Sequence, residues 1–213
     1  MGSSSLPEGT QISTVKAGDY FRAGWDVLKK YPAGFIGYFL IVTVISVFLD
    51  SVPRIGALIA FILTVPLNAG FFVVSAKLLS NQVPEFADFF SGSKFFLQLA
   101  LLGIISSILI VIGFICLIVP GIYLLVGYVF AFMLVMDRGL DFWPAMETSR
   151  RSVQTNWFQI FAFLLLLFLL NLGGLLALGV GLLVTVPLSH CILTAAYADI
   201  FGIKSAHLIS MRQ

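Results

Sequence analysis

Residues 95–136 read FFLQLALLGIISSILIVIGFICLIVPGIYLLVGYVFAFMLVM, and no Asp, Glu, Lys or Arg interrupts them. The apolar residues are continuous rather than alternating, so the stretch is helical and not a set of barrel strands. Crossing about 30 Å of hydrocarbon takes about 20 mostly apolar residues. This run is long enough for two crossings, with the turn between them at Gly113 or at Pro120-Gly121. Pro120 equally suits the first turn of a new helix, where a missing N–H costs nothing.

Working outward, four more apolar segments run from about Gly34 to Leu49, Ile55 to Leu79, Trp157 to Leu170 and Leu175 to Phe201. The composition agrees with them. Of 213 residues, 60% are apolar and 10% charged, and the mean hydropathy is +1.06. A soluble domain of this size cannot hide so much apolar surface, and it would carry about 25% charged residues. The expected architecture is all-α: a polytopic integral membrane protein of six transmembrane helices in three hairpins. Residues 1–16 form a tail and 17–213 one membrane domain. The N-terminus lacks a basic region followed by an apolar stretch, so it is not read as a secretory signal, and Leu6 breaks the myristoylation pattern.

With six spans, Lys16, Arg22, Lys29, Lys30, Lys77, Lys94, Arg138, Arg150, Arg151, Lys204 and Arg212 fall on one side, and Arg54 alone on the other. The positive-inside rule then places both termini in the cytoplasm. The compact form with tight outer turns suits a bacterial cytoplasmic (inner) membrane.

Three segments on the cationic side carry Asp followed by two aromatics: Asp19-Tyr20-Phe21, Asp88-Phe89-Phe90 and Asp141-Phe142-Trp143. Each Asp can cap a helix. In the first, Phe21, Trp25 and Leu28 share one helical stripe, and Arg22, Asp26, Lys29 and Lys30 another, as in an interfacial amphipathic helix. Phe21, Trp25, Phe89, Phe90, Phe142 and Trp143 are the expected interfacial anchors, with Arg150 and Arg151 reaching lipid phosphate.

The chain also repeats itself. Thr64-Val65-Pro66-Leu67 returns as Thr185-Val186-Pro187-Leu188, Asp50 meets Asn171, and Asp19 meets Asp141. Residues 19–79 and 141–202 read as parallel copies, with the middle hairpin, about 84–137, a shortened third. Both prolines lie within helices, and each frees the carbonyl four residues earlier. Such breaks mark binding sites in transporters. Asn68, Pro66, Pro187, Ser189, His190 and Asn171 are therefore the candidate substrate or lipid site, and plain helix packing is the alternative. Gly173, Ala177 and Gly181, spaced by four, read as a helix-packing stripe. Asp50 is expected to pair with Arg54 at an outer helix end.

The stretch Leu117-Ile118-Val119-Pro120-Gly121-Ile122-Tyr123-Leu124, with Ala145 and Ser149 in an amphipathic segment, resembles a group of small bacterial membrane proteins. They include the membrane domain attached to some glycerophosphoryl diester phosphodiesterases and its stand-alone relatives. The resemblance implies a six-helix integral membrane protein. It brings no activity, because the phosphodiesterase chemistry belongs to a separate soluble domain.

Catalysis needs clustered His, Asp, Glu or Cys. The chain has two His, His190 and His207, and no HExxH, CxxC, Walker or GxSxG pattern. Cys116 and Cys191 sit in apolar runs as packing residues. The expectation is a non-enzymatic protein without cofactor, metal or nucleic-acid partner. It would be a scaffold or accessory subunit engaging membrane lipids, itself or another membrane protein. The alternative is a small-molecule or lipid transporter working at the Pro66 and Pro187 kinks.

Overall fold

The computed structural model describes residues 14–52, 56–177 and 179–204. Arg54, the Asp50 side chain, His207, Arg212 and the tail before residue 14 lie outside the described residues, and so does the Asp50–Arg54 pairing. All regular structure among the described residues is helical. The order is α1 (Ala17–Lys30), α2 (Pro32–Asp50), α3 (Gly56–Leu79), a 3-10 helix (Phe86–Phe95), α4 (Phe96–Cys116), α5 (Ile118–Gly127), α6 (Ala131–Arg138), α7 (Phe142–Gln154), α8 (Trp157–Leu176) and α9 (Leu182–Phe201).

Among the described residues, five stretches are long and apolar enough to cross a membrane: Pro32–Leu49, Phe86–Cys116, Ile118–Arg138, Trp157–Leu176 and Leu182–Phe201. In α3 the continuously described stretch Val65–Leu79 is also apolar. The fold class is all-α, and its long helices have the length and apolarity of membrane spans.

The long uncharged run turns at Leu117, the one extended residue between α4 and α5. Both sequence signals serve that turn. Gly113 and Gly121 face each other, and a Cβ on Gly113 would sit 3.0 Å from the Gly121 Cα. Pro120 lies in the first turn of α5. At the other end of the chain, α8 continues past Leu170 to Leu176, and α9 begins only at Leu182. Gly173, Ala177 and Gly181 thus do not form one stripe. Gly174 meets Gly181 instead, because the helix ends between them.

α1 is amphipathic, but its buried stripe is Tyr20, Gly24, Val27 and Leu28. Gly24 packs on the backbone of Ile192 in α9, where a Cβ would come within 2.8 Å of the Ile192 Cα. Phe21 flanks this contact half-buried, and Trp25 is exposed. The stripe rotates because the closest approach of the two helices needs the smallest residue.

The core gathers around the C-terminal half of α3, where every residue from Ala69 to Leu78 is buried. After α3 the chain folds back, and the 3-10 helix runs antiparallel along it. Asp88 meets Lys77, the Phe89 carbonyl covers Gly70, and Gly92 covers the Pro66 carbonyl. Glu85 and Asp88 cap this segment reciprocally, a capping box.

Candidate functional site

Among the long apolar helices, α8 and α9 meet through polar groups. Asn171 donates from Nδ2 to Ser189 Oγ at 2.7 Å and to the Leu167 carbonyl at 2.9 Å. Ser189 donates in turn to the Thr185 carbonyl at 2.8 Å. Asn171 Oδ1 and Thr185 Oγ1 are buried without a protein partner.

The next residue on α9 turns elsewhere. The His190 ring stacks on Phe71 of α3, centroids 4.7 Å apart and planes 6° from parallel. Ser75 of α3 donates to Cys191 Sγ at 3.5 Å. Pro187 and His190, three residues apart, share a helix face, whereas Ser189 projects from the far side. The candidate residues are thus divided. Asn171 and Ser189 come together between α8 and α9, while His190 faces α3. Pro66 and Pro187 are both buried, and half-buried Asn68 has an interaction of its own. Beside Pro66, Tyr38 donates to the Leu67 carbonyl at 2.7 Å.

The anchor residues also separate. Trp25, Phe90 and Trp143 are exposed, and Phe21 and Phe142 are half-buried. Phe89 is fully buried, stacked on Tyr38 at 4.5 Å and edge-on to Phe35 at 5.6 Å. The fold-back of the 3-10 helix turns it inward, so it does not meet lipid.

Arg150 and Arg151 share the Glu147 carboxylate. Arg150 grips it with Nε at 3.0 Å and Nη2 at 2.8 Å, and Arg151 Nε reaches it at 2.6 Å. These bonds, Arg150's first, pull the Glu147 carboxyl down to about 2 and push the Arg150 guanidinium up. Asp141 stands at the N-cap of α7 but accepts from Gln98 Nε2 at 2.9 Å. Gln98 Oε1 takes the Phe142 N–H in its place at 3.2 Å.

A second polar set, absent from the sequence reading, ties the charged end of the bundle together. Lys77 and Asp88 pair at 2.5 Å with side chains 7% and 13% exposed. Buried Asp137 accepts from Tyr197 Oη at 2.8 Å and from the Lys204 N–H at 2.9 Å. Arg138 donates to the Phe201 carbonyl at 2.8 Å. Tyr20 donates to Asp199 at 2.7 Å, and burial, then that carboxylate, pushes its hydroxyl up to about 12. The one advance signal was position: Asp137 is the first charge after the uncharged run.

Among the described residues, no three His, Cys, Asp or Glu gather as metal ligands would. A cleft of about 360 Å³ lies between Lys30, Tyr31, Leu78 and the Asn81–Pro84 loop, where Lys30 already donates to the Leu78 carbonyl at 3.3 Å. No family model, curated protein or solved structure matches the chain.

Proposed function

We propose that this chain is a non-catalytic integral membrane protein, a scaffold or accessory subunit engaging lipid, itself or another membrane protein. One observation carries the reading. The polar side chains inside the apolar helices are spent on different neighbours, Asn171 on Ser189 and His190 on Phe71. A substrate site needs such groups to converge on one concavity.

In this reading the chain crosses a bacterial cytoplasmic membrane six times, as three hairpins, with both termini inside. α3 is the sixth crossing. Its 24 residues reach about 36 Å, and counting it leaves Arg54 the lone cation of the outer side. The matched Thr-Val-Pro-Leu segments of α3 and α9 support descent of the two halves from one repeat.

The experiment is purification in mild detergent with native lipid retained, followed by native mass spectrometry. Enriched lipid, a defined oligomer or a co-purifying membrane protein is the expected result. A bare monomer that retains none of these overturns the reading.

A second reading, a transporter, draws on the two buried oxygens without partners, Asn171 Oδ1 and Thr185 Oγ1. It calls for solute flux in proteoliposomes that His190→Ala or Asn68→Ala abolishes. No flux across a broad solute panel counts against it.

A further inference from the structure

The apolar stretch Ile118–Arg138 has the length of one crossing, yet α5 ends at Gly127 and α6 starts only at Ala131. Between them the backbone tightens to the 3-10 pattern. The Val129 N–H reaches the Val126 carbonyl at 3.4 Å, and the Ala131 N–H reaches the Tyr128 carbonyl at 3.0 Å. In an unbroken α-helix the Val126 carbonyl would serve Phe130, and the Gly127 carbonyl would serve Ala131. The tightening therefore releases the Phe130 N–H and the Gly127 carbonyl, and one side chain takes both. Ser149 of α7, fully buried, donates to the Gly127 carbonyl at 2.7 Å and accepts from the Phe130 N–H at 3.2 Å. A side chain inserted into the helical ladder is a known cause of kinks.

Close packing alone does not require this break. α1 lies on α9 at Ile192 through Gly24, and the 3-10 helix lies on α3 at Gly70. Both α9 and α3 continue as helix through those contacts. Gly127 likewise lets α7 close in, with a Cβ there only 3.3 Å from Arg150 Cγ, but here the helix opens and a hydroxyl enters.

The neighbouring helix has a soft point at the same height. α4 and α5 are antiparallel and touch at Gly113 and Gly121. Six to nine residues beyond Gly121 are 127–130, and six to nine before Gly113 are 107–104. There Ser106 and Ser107 both turn their hydroxyls onto the Gly103 carbonyl, at 3.2 and 2.7 Å. Such bonds compete with the helical ladder and bend helices. Burial changes at this height too. On one side, Leu102 and Gly103 of α4 and Ala131 and Met133 of α6 are buried. On the other, Ile108, Val111, Ile118 and Leu125 are exposed.

We propose that residues 108–126, the outer part of the α4–α5 hairpin, turn as one arm about a hinge line through residues 103–107 and 127–130, and that Ser149 is the pin that fixes its angle. α7 carries the pin, and the other face of α7 is at the surface, with Trp143 and Arg151 exposed. A shift of α7 at that surface reaches the arm through one hydroxyl. Further ties from this side to α5 are longer: Arg150 Nη1 donates to Tyr123 Oη and Trp157 Nε1 to the Tyr123 carbonyl, both at 3.5 Å. The hinge goes beyond the scaffold and transporter readings and depends on neither.

The full chain in phosphatidylcholine–phosphatidylglycerol nanodiscs is given two spin labels, and pulsed dipolar spectroscopy reads the distance between them. One pair joins Cys116, exposed on the arm, to Val47→Cys, exposed on α2. A second pair, in a Cys116→Ala chain, joins Val47→Cys to Leu169→Cys, exposed on α8, and leaves the arm out. Cys191 is buried. With Ser149 in place, each pair should give one narrow distance. Ser149→Ala should lose that single distance for the Cys116 pair, broadening it or adding a second, and leave the Leu169→Cys pair unchanged. An unchanged Cys116 distance in Ser149→Ala overturns the hinge. Broadening of both pairs overturns it as well, since the hydroxyl then supports the fold at large and not one arm.

Discussion

Lys77 sits where a charge is hardest to keep, inside the most enclosed part of α3, and Asp88 is what makes it tolerable there. Two ions withdrawn from water are stable only as a pair, and removing one partner leaves the other uncompensated, at a cost of about 3–5 kcal/mol. Lys77→Ala and Asp88→Asn should each lower the midpoint of thermal unfolding in detergent sharply. Lys77→Met combined with Asp88→Leu should recover most of the loss, short of the cap that Asp88 gives the Glu85 N–H, about 1 kcal/mol. A double variant no better than the singles would mean the pair does more than neutralise itself. Glu147 is the opposite case, a paired carboxylate about one-third exposed. Its folded pKa of about 2 lies below the ordinary glutamate value of 4.5, so the stability it adds is complete above about 4.5 and is lost as pH falls through about 2. Solvent screening holds that contribution below about 1 kcal/mol. The acid loss of stability should be shallower in Glu147→Gln than in the native chain over this interval. Parallel melting curves for the two would refute the assignment.

At the scale of elements, what the sequence disclosed and what it hid have separate physical causes. The long apolar helices α2, α4 and α8 were legible because hydrocarbon demands long apolar runs. The turn in residues 95–136 was ambiguous because Gly113 and Pro120-Gly121 both belong to it, one as packing and the other as helix start. Fold-back of the 3-10 helix could not be read at all. Lys77 and Asp88 meet only because the chain reverses after α3, and the same reversal buries Phe89 while leaving Phe90 exposed. The candidate polar residues were found by type, but a string does not say that neighbours Ser189 and His190 address different helices. The α1 stripe was misplaced for a related reason: large aromatics draw attention, and the contact is made by a glycine. Gly24→Val should therefore lift α1 from α9, since even a Cβ would stand 2.7 Å from the Ile192 nitrogen. Hydrogen exchange should rise through residues 17–30 and stay unchanged in α3 and α8. Gly18, in the same helix with nothing within 4 Å of its Cβ position, is the control, and Gly18→Ala should leave exchange as it is. Equal exchange in both variants would mean that α1 is held by something other than this contact.

For the whole molecule, the scarcity of charge turns orientation into a question of parity. Among the described residues five stretches qualify as crossings on length and apolarity, and α3 decides whether the total is odd or even. Its C-terminal half is wrapped by protein, with Lys77 neutralised inside. A helix sheathed by its neighbours need not present an apolar surface to lipid along its whole length. If α3 crosses, Ser51 before it and Val83 just after it lie on opposite sides of the membrane. If α3 stays on one side, they share it. Both positions are exposed. Ser51→Cys and Val83→Cys, each placed in a Cys116→Ala chain, can be reacted with a membrane-impermeant maleimide in sealed right-side-out vesicles. The six-crossing arrangement expects Ser51→Cys to react at once and Val83→Cys only after permeabilisation. That is the sidedness implied when Arg54 faces outward and Lys94 inward. Equal reaction of the two before permeabilisation would remove α3 from the crossings. It would also put the N- and C-termini on opposite sides and break the charge asymmetry on which the orientation depends.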